Sequence, residues 1–195
     1  MEIWRQIGDI RYELHARDAL EGVFPRHESL ITLWRDRCGG RALPGWSAFA
    51  FEDFRGWWGW IAVGELLDTP EGCIRFRLWG TRVAAISGVE WTGRVLPDPE
   101  PPRHDAPHDT SHHTTHGTPQ EGTGPDPSPM AALGLGLPAF TDGYLDALTT
   151  RRAVGLVSGP LTRADIDQDR ADFLLLPLAS DGERVDTYLC GLALH

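Results

Sequence analysis

Residues 172–194 read DFLLLPLASDGERVDTYLCGLAL. Two largely apolar runs, DFLLLPLAS and RVDTYLCGLAL, flank Ser180–Asp181–Gly182, a combination that favours a tight turn, so the stretch reads as a β-hairpin. Pro177 has no N–H to give a ladder and is expected at an edge, a bulge or a non-bonding position. Just upstream, RAVGLVSGPL (152–161) is a further short strand, and FTDGYLDALTTRR (140–152) carries Phe140, Tyr144, Leu145 and Leu148 at helical spacing behind a Thr141 or Asp142 cap.

The same reading applies to the first half of the chain. WGWIAVGELLD (58–68) and CIRFRLWG (73–80), with the turn DTPEG between them, form a second expected hairpin. Strict alternation would put Ile74, Phe76 and Leu78 on one face and Arg75, Arg77 and Trp79 on the other. It would likewise send Trp58 and Trp60 to one face and Trp57 to the other. TRVAAISGVEW (81–91) is a short helix ending near Gly88, followed by a turn at TGRVLPD, and FEDF is a short turn. In ESLITLWRDRCGG (28–40), Leu30, Leu33, Trp34 and Arg37 follow the helical period and Gly39–Gly40 end it. Ile3, Ile7, Ile10 and Leu14 recur every three or four residues, which predicts an amphipathic helix within residues 1–20. Hairpin-joined strands with helices between them imply an antiparallel sheet closed on one face, an α+β domain.

Composition bounds the function. The chain has 195 residues and a formal net charge of −10. A protein that neutralises phosphates needs a basic face, so nucleic acid is an unfavourable partner and anionic membrane equally so. The N-terminal residues carry Glu2, Asp9 and Glu13 without a long apolar run, unlike a signal peptide or a spanning helix. Cys38, Cys73 and Cys190 are odd in number and far apart, and they read as buried thiols of a cytoplasmic protein.

Residues 97–129 contain no Val, Ile, Leu, Met or aromatic residue, and six acids against one arginine. Such a segment cannot bury enough apolar surface to fold, and it reads as a disordered insertion. Within it His104, His108, His112 and His116 recur at every fourth position, spacing that suits a zinc ligand pair on a helix. Pro107 forbids a helix through all four. A solvated loop is the leading reading, with adventitious or regulatory capture of zinc or nickel as the alternative, which would make the chain a metal-responsive binding protein. His15, His27 and His195 have no partner that the sequence places, so no catalytic triad is argued. No P-loop, GxSxG or HExxH occurs.

Several of these segments together resemble a family of short PAS-like proteins from bacteria, mostly alphaproteobacteria. They are LWRDRCGGRALP (33–44), FRLWGTRV (76–83), EWTGRVL (90–96) and LLPLASDG (175–182). The chain departs from that family at GWWGW, where aliphatic residues are usual, and in the length of the insertion. The resemblance implies a five-stranded antiparallel PAS-like sheet with helices on one face over residues 28–195, behind an N-terminal helical extension at 1–27. It implies a non-enzymatic sensory or adaptor domain that takes a small ligand or a signalling protein partner, with a homodimer built on the N-terminal helix. The candidate pocket residues are Trp34, Trp60, Phe76, Arg77 and Tyr144. Arg77 matches the arginine of the family's signature and is expected to pair with an internal carboxylate or a ligand.

Overall fold

The computed structural model describes residues 1–68, 74–96, 143–161 and 167–195. Eight strands form one sheet: β1 (Glu2–Ile7), β2 (Ile10–His15), β3 (Ile61–Leu66), β4 (Ile74–Trp79), β5 (Val95–Leu96), β6 (Val154–Pro160), β7 (Arg170–Leu178) and β8 (Thr187–Leu194). Their order is β1-β2-β6-β7-β8-β3-β4-β5, and every neighbouring pair is antiparallel. Three α-helices accompany it among the described residues: α1 (Glu28–Asp36), α2 (Thr81–Ser87) and α3 (Leu145–Arg151).

The expected five-stranded PAS-like sheet is therefore overturned. The strands foreseen in the sequence are present, but β1 and β2 extend the sheet beyond β6, and β5 extends it beyond β4. The domain is mostly β. Nor do the helices keep to one face. Residues opposite one another in a ladder project to the same side. Glu13, Leu156, Leu174 and Gly191 thus share one face, and Leu14, Gly155, Leu175 and Cys190 the other. The helix α1 lies on the first: a Cβ added at Gly191 would stand 2.5 Å from Leu30. On the second, Tyr144 and Leu148 of the α3 region crowd Gly155. Trp79, which shares that second face through Ala62 and Cys190, meets Ser87 of α2.

The N-terminal helix is a β-hairpin instead. Gly8 takes φ +56°, a left-handed turn conformation that glycine accepts freely, and it reverses the chain between β1 and β2. The spacing of Ile3, Ile7, Ile10 and Leu14 imitates a helix, yet Ile3 and Ile7 lie exposed. In β2, Tyr12 and Leu14 are buried on one face and Glu13 and His15 on the other. IRYELH does alternate apolar and polar residues, but Glu13 and His15 are buried as well, so its polar side does not face solvent. The dimer expected through an N-terminal helix loses its structural basis with that helix.

A second departure lies in β4. Val63 pairs with Leu78 and Gly64 with Phe76, so Arg77 is an extra residue in a bulge. The bulge inverts the alternation beyond it: Trp79 is buried and Leu78 exposed. Other expectations hold. The helix α1 buries Leu30, Ile31 and Trp34, and Gly39 and Gly40 follow it with positive φ. The hairpin β7–β8 turns through 179–186. Pro177 pairs with Tyr188, and since Arg170 and His195 exchange both ladder bonds, alternation points the proline nitrogen the other way. There β6 has already ended, and Trp34 Nε1 instead donates to the Pro177 carbonyl at 2.9 Å. The DTPEG turn from Thr69, the insertion 97–129 and Cys73 lie outside the described residues. No helix among the described residues is long and apolar enough to cross a membrane.

Candidate functional site

The face that carries α1 also gathers the buried carboxyl and imidazole side chains of β2. Glu13 and His15 leave β2 on that side, and Ser158 stands opposite both Arg11 and Asp172 in the neighbouring ladders. Arg170 and His195 form the last pair of β7 with the chain beyond β8. The segment 23–27 approaches from above, bringing His27. All of these except His15 line a cleft of about 670 Å³ whose walls include Arg11, Glu13, His27, Ser158, Asp172 and His195.

One acid–histidine pair lies in its wall and a second reaches it through Glu13. His15 Nε2 donates to Glu13 Oε2 at 2.9 Å with both groups buried, while Arg11 Nε stands 3.4 Å from the other carboxylate oxygen. The His15 hydrogen bond holds the Glu13 carboxyl below its ordinary range, against the opposing effect of burial. His195 Nε2 stands 3.2 Å from Asp172 Oδ1 without hydrogen-bond alignment, so both buried atoms lack a formed bond. Buried polar atoms are nearly always satisfied, so this pair is an exception among the described side chains. His27 is buried deepest. Its Nε2 donates to the Gly191 carbonyl at 3.1 Å, and its ring stacks on Trp57 at 5.6 Å between centroids. Phe24 packs edge-on against His15.

Burial pushes the His27 pKa below its ordinary value of 6.5, outweighing the Gly191 carbonyl and the Asp172 carboxylate; Arg26 works in the same direction as burial. A histidine neutral when folded takes up a proton on unfolding once the pH is below about 6.5. Its contribution is intact above that value and is lost as pH falls toward the folded pKa. The unfolding free energy is expected to fall as pH drops below about 6.5, with a slope of at most about 1.4 kcal/mol per pH unit from this group. Glu13, also depressed, adds a loss of the same sign only below its own ordinary value of 4.5. Urea titrations across this window check it: His27→Gln, which keeps a donor for Gly191, should flatten the profile, and a wild-type midpoint indifferent to pH would refute it.

The five candidate pocket positions do not converge. Trp60 alone among them lines a cleft described here, a second one beside the first. Trp34 is buried beneath α1 and bonded to Pro177. Phe76 and Tyr144 lie on the opposite face, Phe76 packed edge-on against Trp79 at 4.7 Å and Tyr144 donating to the Glu13 carbonyl at 2.8 Å. Arg77 is exposed in its bulge and pairs with no carboxylate among the described residues. Trp57, Trp58 and Trp60 precede β3 in successive turns, so strand alternation does not govern them. His104, His108, His112 and His116 lie outside the described residues. Among the described residues no three His, Cys, Asp or Glu side chains are placed to hold a metal ion. Sequence reading missed His15, His27 and His195 as site residues because their partners depend on the ladder registers. One local signal existed: Glu13 and His15, two residues apart, share a face once the segment is a strand. Comparison with protein-family models, curated proteins and solved structures finds no match to this chain.

Proposed function

We propose that this chain is a sensory or adaptor domain of signal transduction, binding a small polar ligand in the α1-side cleft and presenting its occupancy to a protein partner. One observation carries the reading: Glu13, His27, Asp172 and His195 line one concavity, with His15 bonded to Glu13 behind its wall. Grouped ionisable side chains in a cleft, two of them (Glu13 and His27) with lowered pKa, favour a functional site over a packing role. Binding is favoured over catalysis because, among the described residues, no serine, threonine or cysteine is hydrogen-bonded to any of the cleft histidines. A cytoplasmic location accompanies the reading, supported by the free thiols of Cys38 and Cys190.

Native mass spectrometry of untagged protein, purified without added ligand, tests it. An organic adduct that survives chelation and disappears in Asp172→Asn is expected. Protein at its bare sequence mass, or carrying only a chelator-sensitive metal, would count against the cleft.

A further inference from the structure

Beside the cleft, sharing Arg26 with it, runs an open groove of about 650 Å³. Its polar walls are Arg26, Arg55, Arg82, Ser29 and Gln168, and its aromatic walls are Trp57 and Trp60. Among the described residues no carboxylate lines it, although the chain as a whole carries a net charge of −10. Elsewhere arginines find acids: Arg11 meets Glu13, Arg37 meets Asp53, Arg75 meets Glu65, and Arg151 meets Glu2. Among the described residues none of the three groove arginines forms an ion pair. Three like charges gathered around one concavity repel one another and create a positive potential that an anion relieves.

The groove is built rather than incidental. Trp57 N donates to Phe54 O and Trp60 N to Trp57 O, both at 2.8 Å, so two consecutive turns hold the indoles in place. Gly59, at φ +83°, supplies the left-handed residue those turns need, and its carbonyl accepts from Arg82 N and Val83 N. The Trp57 indole N–H is tied to Ser29 Oγ at 2.9 Å, and one ring face rests on His27. The Arg82 guanidinium lies over the Trp60 ring, 5.9 Å from its centroid. Stacking engages the flat face of a guanidinium and leaves its in-plane N–H fork to grip an oxyanion. The sequence departure GWWGW is therefore the element that places tryptophan and arginine side by side.

We propose that this groove binds a nucleoside phosphate, its phosphate held by Arg26, Arg55 and Arg82 and its base resting against Trp57 and Trp60. Phosphate suits bidentate guanidinium contacts, and a planar ring suits indole faces. The volume is that of a small-molecule site. A polymer is disfavoured, because the arginines ring one concavity rather than track a strand, and the net charge repels a polyanion beyond it. This proposal stands independently of the cleft and its ligand.

Isothermal calorimetry of the full chain with ribonucleoside mono- and triphosphates, the matching nucleosides and inorganic phosphate tests it. At least one nucleotide is expected to bind more tightly than its nucleoside and than phosphate alone, and more weakly as salt rises. Arg55→Ala and Arg82→Ala, both at exposed positions that leave the fold intact, should each weaken binding about tenfold. Trp60→Leu should weaken the nucleotide more than phosphate, and Asp172→Asn, in the other cleft, should change neither. No heat with any nucleotide, or binding indifferent to both arginine substitutions, overturns the proposal. Phosphate binding as tightly as every nucleotide, unchanged by Trp60→Leu, overturns it as well.

Discussion

Deleting residues 1–15 is expected to abolish cooperative folding, because these residues are two strands of the sheet and not an appended helix. Five residue pairs join β2 to β6. Tyr12 and Leu14 are buried, and burying two such side chains stabilises by about 3–6 kcal/mol. The loss continues inward: Tyr144 gives its hydroxyl to the Glu13 carbonyl, and Trp4 packs on the Tyr144 ring at 5.2 Å. Without β2, the buried strand β6 becomes an edge with Val154, Leu156 and Val157 uncovered, a template for aggregation. A loss above about 5 kcal/mol reaches the whole stability of many domains. Removing only β1, which is largely exposed, should cost far less and leave a cooperative melt. Circular dichroism melts and solubility of the two truncations decide it. If the longer deletion melts within a few degrees of the intact chain, β2 is not integral to the sheet.

What the sequence disclosed follows a physical line. Local signals survived: Leu30 and Trp34 at helical spacing before two glycines gave α1, and the apolar runs either side of Ser180–Asp181–Gly182 gave β7 and β8. Non-local features did not. The bulge at Arg77 depends on how β4 meets β3, and no property of IRFRLW alone announces it. The N-terminal segment misled because its four aliphatic residues have helical spacing, whereas burial of β2 is decided by β6 and α3 far along the chain.

The site was hidden for the same reason. His27 reaches Gly191, 164 residues away, and Glu13 stands on one face with Asp172 only because β6 lies between their strands in a fixed register. The five pocket positions were drawn from family motifs and from aromatic character, and the two faces of the sheet separate them. Trp60 lines a groove, but the turns of GWWGW put it there. The histidine period at 104–116 lies outside the described residues, and the described histidines find their partners elsewhere.

Gly80→Ala is expected to destabilise the protein by about 3 kcal/mol, the upper range for overpacking. Gly80 has φ −61° and ψ 147°, values any residue adopts, so the cost comes from space alone. A Cβ there would lie 2.3 Å from the Gly59 carbonyl oxygen, 2.6 Å from its carbon and 2.6 Å from the Ile61 oxygen. All three are backbone atoms, and no rotamer change can relieve the clash. The segment that must move is the turn whose carbonyl anchors Arg82 and Val83, while Gly80 N is itself bonded to Ile61 O. Gly93→Ala is the matched contrast: nothing lies within 4 Å of its Cβ, but its φ of +85° imposes a left-handed strain of about 1–2 kcal/mol. The substitutions should therefore separate in chemical denaturation, with Gly80→Ala the more damaging. Only Gly80→Ala should also shift tryptophan emission in the native state, because it displaces Trp60 from Arg82. Equal losses at the two glycines, with unchanged native emission, would show that the turn yields without resistance and that Gly80 does not fix the groove.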